Sequence, residues 1–523
     1  PAPVGRVSHE QDPGAADPKP AGGGRAASVT ERTALSGVRW TGGARLVAEV
    51  AALGASVALA RLVPPDDFGR FAVVLVVVLI AGAFSGDGVA APLVQRETLT
   101  RPHVATAMAL GLLGGTLLML LTAAAGESLR PLIGDEIARL LQLAAPVFLL
   151  SALTAVPQAL LMRRLSFRQL GLVDAAGALA GAAAGVGLAV AGLDAPALVL
   201  GILTGQLTTM GLMLALARPP LPRWHRREAA ELAGFGLPNA GAALASIGSQ
   251  NVDYLILAAR LDLTLVGFYW RGYQLGVEYQ RKLSGILLRL ALPLYSRSES
   301  LEHQLALRHR IVRLQTLTIF PLLAALILLA PLLVPAVFGT AWEPAVLPAQ
   351  ILAVAGMIAA AQTGIGPLMT ATGHPKALLR WNLGNMVCFA AAVYLLAPLG
   401  LTGLCIGVVA FRLLRFLAAY RLLLHGVLDL RLRSAWTDCA PALTATAATV
   451  ASGLALTAIA SDALPGWLEG AALALLVPAV YVPVLGLLFP TALADLRGVL
   501  GRLVRPGSSG AAAGGREILA EGA

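Results

Sequence analysis

Charged and amide side chains recur along one face of residues 265–294, an apolar segment otherwise suited to a lipid bilayer. At about 100° per residue, they fall within roughly one 80° sector of a helix. The distance from the first to the last is about 27 Å, close to the hydrocarbon thickness of a membrane. This polar stripe comprises Arg271, Gln274, Glu278, Lys282, Gly285 and Arg289, with Arg281 at its edge.

An ionisable group at membrane depth costs at least ~2.5 kcal/mol on insertion scales, so the stripe should face protein or a water-filled cavity. We therefore expect Arg271, Lys282 and Arg289 to line a transport path. Two simpler interpretations stay open: Arg289 snorkels to the interface, and Glu278 with Lys282, four residues apart, forms a satisfied ion pair.

Further charged residues lie in segments that would pack beside this helix. Asp253 would lie at the depth of Arg271, in a pair that is either structural or opens when substrate or an ion arrives. Arg45 and Glu49, four residues apart in the first predicted helix, could face the stripe across a cavity. Carboxylates that could bind a proton or sodium are Glu49, Asp87, Asp253 and Glu278, although Asp87 could instead be interfacial. Secondary cavity candidates are Asn382, Asn385, Arg412 and Arg415.

The composition predicts an all-α, polytopic transmembrane helical bundle. Of the 523 residues, 57% are hydrophobic and 13% are charged, and the alternating strands of a membrane barrel are not seen. Apolar windows of about twenty residues predict fourteen helices. They lie near 41–63, 71–94, 103–125, 138–162, 172–192, 195–217, 232–259, 265–294, 313–338, 346–371, 378–397, 401–424, 439–460 and 467–490.

Basic residues in the short loops predict the orientation. With a cytoplasmic N-terminus, about eighteen Lys and Arg residues fall in the inner loops and about five in the outer loops. Both termini are then cytoplasmic, and the location is the cytoplasmic membrane. The net charge of +10 follows this membrane face, so it indicates anionic lipid rather than nucleic acid as a partner.

A short internal repeat predicts two parallel lobes. ALARLVPPDDFGRFAVV from Ala58 resembles LAARLDLTLVGFYWRG from Leu257, with Gly69 corresponding to Gly267 at an offset of about 198 residues. Substrate sites in such repeats lie at the lobe interface. The predicted division is a disordered cytoplasmic tail (1–35), an N-lobe of six helices (36–220), a C-lobe of six helices (221–428), two additional helices (429–492) and a disordered tail (493–523).

Several segments between about residues 35 and 440 together resemble one family in order and spacing. They include LVPPDDFGRFAVV, GDGVAAPLVQRETLT, QALLMRRLSFRQLG, NVDYLILAARLDLTLVGFYWRGYQL, ALPLYSR and FGTAWEPAVLPAQILAV. They are similar to Wzx-type (WzxC-like) oligosaccharide flippases of the multidrug/oligosaccharidyl-lipid/polysaccharide (MOP) exporter superfamily. The chain departs from the family at Ala258, Ala259 and Arg260, where a glycine is frequent.

The resemblance implies two six-helix bundles around a central cavity, with two further C-terminal helices. It also implies that the protein moves polyprenyl-diphosphate-linked sugar repeat units to the outer leaflet, with a cationic cavity that receives the headgroup. The expected partners are this lipid-linked oligosaccharide, the bilayer, and polysaccharide polymerase or export proteins.

Two other functions compete with flipping by alternating access. A cation-coupled small-molecule exporter of the same superfamily is opposed by the basic stripe. A membrane polysaccharide polymerase or ligase is opposed by the outer loops, none of which exceeds about fifteen residues under the predicted topology. No catalytic triad or paired-carboxylate site stands out, and the three cysteines lack metal-type spacing, so we predict neither an enzyme nor a cofactor.

Overall fold

The computed structural model describes residues 43, 46–285, 300–428, 430, 432–460 and 465–504, and within them every regular element is helical. We number the helices in chain order and use N-lobe for α1–α6 and C-lobe for α7–α12. The N-lobe consists of α1 (46–62), α2 (Pro65–Ala83, continued by a π turn Phe84–Ala90 and Ala91–Gln95), α3 (Arg101–Ile133), α4 (Asp135–Ala144 and Val147–Arg163), α5 (Phe167–Val190) and α6 (Asp194–Ala217).

The C-lobe begins with a long helix, and two of its other helices contain π turns. Its members are α7 (Arg226–Arg260), α8 (Leu263–Tyr273, a π turn Gln274–Glu278 and 279–285), α9 (Leu301–Phe338), α10 (Val346–Ala361 and Ile365–Ala371), α11 (Pro375–Leu396) and α12 (Gly400–Ala418, a π turn Ala419–Leu424 and His425–Leu428). Three helices follow: α13 (Leu432–Ala460), α14 (Gly466–Leu488) and α15 (Pro490–Val504).

The all-α prediction is confirmed. Within the described residues, each of the fourteen predicted spans coincides with one of α1–α14, and ten helical segments are long and apolar enough to cross a membrane. One of these ten segments, Lys376–Leu428, contains both α11 and α12.

Two predictions about non-helical regions were wrong. The loop predicted between the spans at 265–294 and 313–338 is helical from Leu301, because the Ser300 side chain accepts a hydrogen bond from the His303 amide and caps α9. The tail expected from residue 493 is helical up to Val504. Leu493 and Leu496 of α15 pack against a core cluster, which explains why this short helix forms.

Small residues set how closely the helices approach each other. Helices α5 and α6 pack along Gly177, Gly181, Gly201 and Gly205, where a Cβ atom would lie 2.8–3.0 Å from a backbone carbonyl oxygen of the other helix. Leucine or valine could not occupy these positions without separating the helices.

The two glycines of the internal repeat meet each other where α2 crosses α8. A Cβ atom on Gly69 would lie 1.9 Å from the carbonyl oxygen of Leu263, and one on Gly267 would lie 2.0 Å from that of Pro65. The lobes therefore touch backbone to backbone at this end of the bundle, which carries the α1–α2 connection at Pro64. We call it the Pro64 end.

Candidate functional site

A cavity of about 380 Å³ lies between helices α7, α8, α10, α11 and α12. We call it the C-lobe cavity. Three guanidinium groups line it, those of Arg281, Arg412 and Arg415, and the described residues that line it include no Asp or Glu. Its amide side chains include Asn382 and Asn385, so all four secondary candidates from α11 and α12 lie here.

The three cations of the C-lobe cavity are held in different ways. Arg412 donates a hydrogen bond to the Tyr273 hydroxyl at 2.8 Å. Arg281 donates to the Gln250 side chain at 2.6 Å and forms an ion pair with Glu278. Arg415 lies one turn beyond Arg412 on α12, and its buried Nε atom has no hydrogen-bond partner among the described residues. The arginine pair of α12 can therefore accept an anionic ligand.

Asp253 lies behind this cavity, and the expected pair between Asp253 and Arg271 does not form. The carboxylate is fully buried and accepts a hydrogen bond from the Tyr269 hydroxyl at 2.9 Å. Its Oδ1 atom has no hydrogen-bond partner within the described part of the chain. The cation that attracts it most is Arg412 of α12.

Arg271 is fully buried at the Pro64 end rather than exposed in a cavity. Its Nη1 atom donates to Ser56 at 2.9 Å and to Gln274 at 2.8 Å. The guanidinium also lies 4.4–5.1 Å from the centres of four aromatic rings, which stabilise a desolvated cation. These rings belong to Phe68, Trp270, Phe338 and Trp342.

Hydrogen bonds between the lobes close the Pro64 end around Arg271. The Trp342 indole donates to the carbonyl oxygen of Ala60 at 2.7 Å. Arg61 donates to the carbonyl oxygens of Ala336 and, at 2.8 Å, Val337. The end of α1 is thus joined to the end of α9 and to the turn that follows it.

The ion pairs along α8 differ from the expected ones. Lys282 pairs with Glu49 of α1 at 2.9 Å, and Glu278 pairs with Arg281, so the simpler interpretation of an ion pair between Glu278 and Lys282 does not hold. Glu49 of α1 therefore contacts α8 directly, whereas the sequence placed it across a cavity from the stripe. Arg45 and Arg289 lie outside the described residues, as does the side chain of Asp87.

A second cavity of about 570 Å³ lies in the N-lobe, between α1, α2, α4, α5 and α6, with Trp270 and Gln274 of α8 at its edge. We call it the N-lobe cavity. Its polar side chains include Gln158, Asp174 and Gln206, and the described residues that line it include no Lys or Arg. This cavity is therefore uncharged apart from one carboxylate.

The predicted single stripe is in fact divided between three environments. Gln274 lines the N-lobe cavity, Arg281 lines the C-lobe cavity, and Lys282 contacts α1. The π turn at Gln274–Glu278 explains the division. It adds one residue to a turn, so the residues after it are rotated relative to an α-helical pattern.

At the opposite end of the bundle, arginines of the family-like segments have structural roles. Arg163 donates to the backbone carbonyl oxygens of Leu93, Val94, Arg96 and Glu97, and so caps the end of α2. Hydrogen bonds from His103, Arg96 and Arg227 lower the pKa of Glu231, which precedes the predicted seventh span, to about 2. Because Arg96 and His103 belong to the N-lobe, this cluster anchors the start of α7 there.

An apolar groove of about 560 Å³ lies between α9, α10, α12 and α13. It is lined by residues such as Phe320, Met357 and Leu413, and Ile358 of α10 lines both the groove and the C-lobe cavity. The cationic cavity and the apolar groove are therefore two sides of one helical wall.

A bundle of helices long and apolar enough to cross a membrane, with a polar cavity in each lobe and a closed Pro64 end, defines a multi-pass membrane protein. The fold is that of the MOP superfamily. The chain superposes on the lipid II flippase MurJ in an inward closed conformation with a TM-score of 0.65 and 14% identity, covering 86% of this chain and 99% of MurJ. It also superposes on an inward-facing multidrug transporter of the MATE family with a TM-score of 0.56 and 13% identity, covering 72% of this chain and 93% of that one.

A model of the family described as "Polysaccharide biosynthesis protein" matches residues 58–347, more than half of the chain, and the chain belongs to this family. The chain is 23% identical to the lipopolysaccharide biosynthesis protein WzxC of Escherichia coli K12 over 411 residues, 77% of this chain and 82% of WzxC. It is also 23% identical to the teichuronic acid biosynthesis protein TuaB of Bacillus subtilis 168 over 327 residues, 59% of this chain and 65% of TuaB. The predicted relation to Wzx-type flippases is confirmed.

Proposed function

We propose that this protein flips polyprenyl-diphosphate-linked oligosaccharide repeat units across the cytoplasmic membrane, by alternating access, for surface polysaccharide biosynthesis. The observation that carries the proposal is the C-lobe cavity, where Arg281, Arg412 and Arg415 converge without a lining carboxylate among the described residues. A diphosphate loses its hydration shell inside a membrane, and guanidinium groups replace that shell with charge-assisted hydrogen bonds.

The apolar groove supports a substrate with a long hydrocarbon tail. It lies directly behind the wall of the C-lobe cavity, and Trp436 of α13 and Arg433 contribute to its lining. A polyprenyl chain can occupy this groove while its diphosphate is held in the cavity. A cationic cavity beside an apolar groove suits an amphipathic substrate, which distinguishes this arrangement from a site for a soluble small molecule.

Transport requires the Pro64 end to open. The hydrogen bonds of Arg61 and Trp342 then break, and the contact between Gly69 and Gly267 separates. With the termini in the cytoplasm, the Pro64 end faces outward, and the closed arrangement loads substrate from the cytoplasmic side. Arg271 is part of the seal in this conformation and contacts substrate only after opening.

Buried acidic groups supply candidates for ion coupling. Asp253 is the strongest, because one of its oxygen atoms has no hydrogen-bond partner in the described region and Arg412 lies on its cavity side. Binding of the diphosphate by Arg412 weakens the attraction between Arg412 and Asp253, which links the substrate to the carboxylate. Glu49 and Glu278 are already in ion pairs and are weaker candidates.

The test is the double variant Arg412→Gln/Arg415→Gln in a deletion strain. Each charge-assisted hydrogen bond contributes roughly 1.5–3 kcal/mol, so losing both should lower export by at least about 100-fold. Lipid analysis should find the lipid-linked repeat units retained on the cytoplasmic side. Arg380→Gln, at an exposed position of α11, is the matched control and should export normally.

Three other results would count against the proposal. Normal export by the double variant at normal protein abundance would show that this cavity does not hold the diphosphate. In the deletion strain, repeat units retained on the outer side would indicate a polymerase or ligase. If repeat units accumulated on neither side, a small-molecule exporter would be favoured.

A further inference from the structure

The N-lobe cavity contains side chains that suit an uncharged, hydroxyl-rich ligand. Gln158 of α4 and Gln206 of α6 line it, and both are partly exposed. Neither amide makes a hydrogen bond to any other described residue. A primary amide offers two donors and one acceptor, and a sugar hydroxyl is both donor and acceptor, so the two groups complement each other.

The shape of this cavity also favours sugar rings. One wall is formed by backbone, because Gly181, Gly201 and Gly205 line it without side chains. Its lining also includes the aromatic side chains of Phe71 and Trp270. The volume of about 570 Å³ lies in the ~300–1,000 Å³ range of small-molecule sites.

The two cavities both border α8. Tyr273 lines the C-lobe cavity, and the next residue, Gln274, lines the N-lobe cavity. A helix with its side chains is about 10–12 Å wide. A headgroup whose diphosphate lies in one cavity therefore has its first sugars within reach of the other.

We propose that the N-lobe cavity binds the uncharged sugar residues of the lipid-linked substrate, while the C-lobe cavity binds its diphosphate. The inference rests on the proposed function and adds a location and a chemical class for the glycan. Gln158 and Gln206 select hydroxyl-bearing and amide-bearing sugars. Acidic sugars gain no ion pair here, because the described residues of the lining include no Lys or Arg.

Binding of two probes to the purified full chain tests this assignment. One probe is bare polyprenyl diphosphate, and the other is the repeat-unit lipid extracted from the export-deficient deletion strain. Each lost hydrogen bond contributes about 0.5–1.5 kcal/mol, so Gln158→Ala/Gln206→Ala should weaken binding of the repeat-unit lipid about tenfold. The affinity of this double variant for bare polyprenyl diphosphate should not change. Gln142→Ala, which removes a glutamine of α4 that bonds to Glu127 instead, should bind both probes normally.

The same pair of probes separates failure of this inference from failure of the proposed function. Arg412→Gln/Arg415→Gln should weaken both probes; if it weakens neither, the proposed function is wrong. If Gln158→Ala/Gln206→Ala weakens both probes equally, or neither, the glycan assignment is wrong. Should that variant not fold, Gln206→Asn alone retains the amide one methylene short and should still weaken only the repeat-unit lipid.

Discussion

The N-lobe and C-lobe cavities occupy corresponding places in two similar halves, yet they differ in charge. Arginines of α8 and α12 line the C-lobe cavity, whereas glutamines of α4 and α6 line the N-lobe cavity. Under the proposed assignment, a substrate with one anionic and one neutral part binds in only one orientation. The difference shows how a nearly symmetric fold can handle an asymmetric molecule.

The lobes also differ at the positions that correspond to the hydrogen-bonded pair of Asp253 and Tyr269. Aligning Ala60-Arg61-Leu62 with Ala259-Arg260-Leu261 gives an offset of 199 and places Gly54 opposite Asp253. The glycine offset of 198 on α2 and α8 places Phe71 opposite Tyr269. The hydrogen-bonded pair of the C-lobe thus corresponds to two residues without polar side chains in the N-lobe.

Where the lobes meet, by contrast, they are equivalent, and substitutions there should have the same effect in both. Gly267→Leu and Gly69→Leu each place a side chain where a carbonyl oxygen lies within 2.0 Å of the Cβ position. We expect export to fall to background, because the Pro64 end cannot close. In a chain without its native cysteines, labelling of Ser56→Cys by a membrane-impermeant thiol reagent should rise.

Gly54→Leu is the control for this pair, since nothing lies within 4 Å of its Cβ position. If only one of the two glycine variants differed from this control, the equivalence of the lobes at the crossing would be disproved.

A smaller effect is expected at the buried pair of Asp253 and Tyr269, which has no polar counterpart in the N-lobe. Tyr269→Phe, which copies Phe71 of the N-lobe, leaves the buried Asp253 without its hydrogen bond. It should lower the free energy of unfolding by about 1–3 kcal/mol. Thermal unfolding of the purified protein should show a smaller loss when Asp253→Asn is also present, because the two residues interact.

Asp253→Asn itself should reduce any dependence of export on a sodium or proton gradient. If the losses of stability caused by Tyr269→Phe and Asp253→Asn simply added in the double variant, Asp253 and Tyr269 would not interact.

The smallest effect is expected at the ion pair that joins the lobes near the other end of α8. Glu49 and Lys282 are both partly exposed, so their pair contributes about 0–1 kcal/mol. Lys282→Glu should lower export about twofold, and the swap Glu49→Lys/Lys282→Glu should restore it. A loss as large as that of the arginine variants would show that Lys282 binds substrate directly.

The sequence predicted the helices well because hydropathy and length determine which segments cross a membrane. All fourteen predicted spans coincide with helices in the described residues. The start of α9 and the presence of α15 were missed, because a serine cap and packing against distant helices stabilise them rather than a long apolar run.

The candidate site was predicted less well, for two physical reasons. The polar stripe was projected on a regular α-helix, and the π turn at Gln274–Glu278 leaves no recognisable sequence pattern. The cations that line the C-lobe cavity also come from distant parts of the chain. Arg412 and Arg415 were visible as charges in an apolar helix, but only the fold brings them to Arg281.

The hydrogen bond from Tyr269 to Asp253 also constrains the order in which these two residues can be gained or lost during evolution. A buried tyrosine whose hydroxyl lacks an acceptor, or that has an asparagine in place of the aspartate beside it, lowers the stability of a helical core only modestly. A buried carboxylate without a donor is far more destabilising. We therefore expect the tyrosine to be gained before the aspartate and lost after it. A relative that has the tyrosine without the aspartate is then a viable intermediate, and a relative that has the aspartate without the tyrosine should be rare.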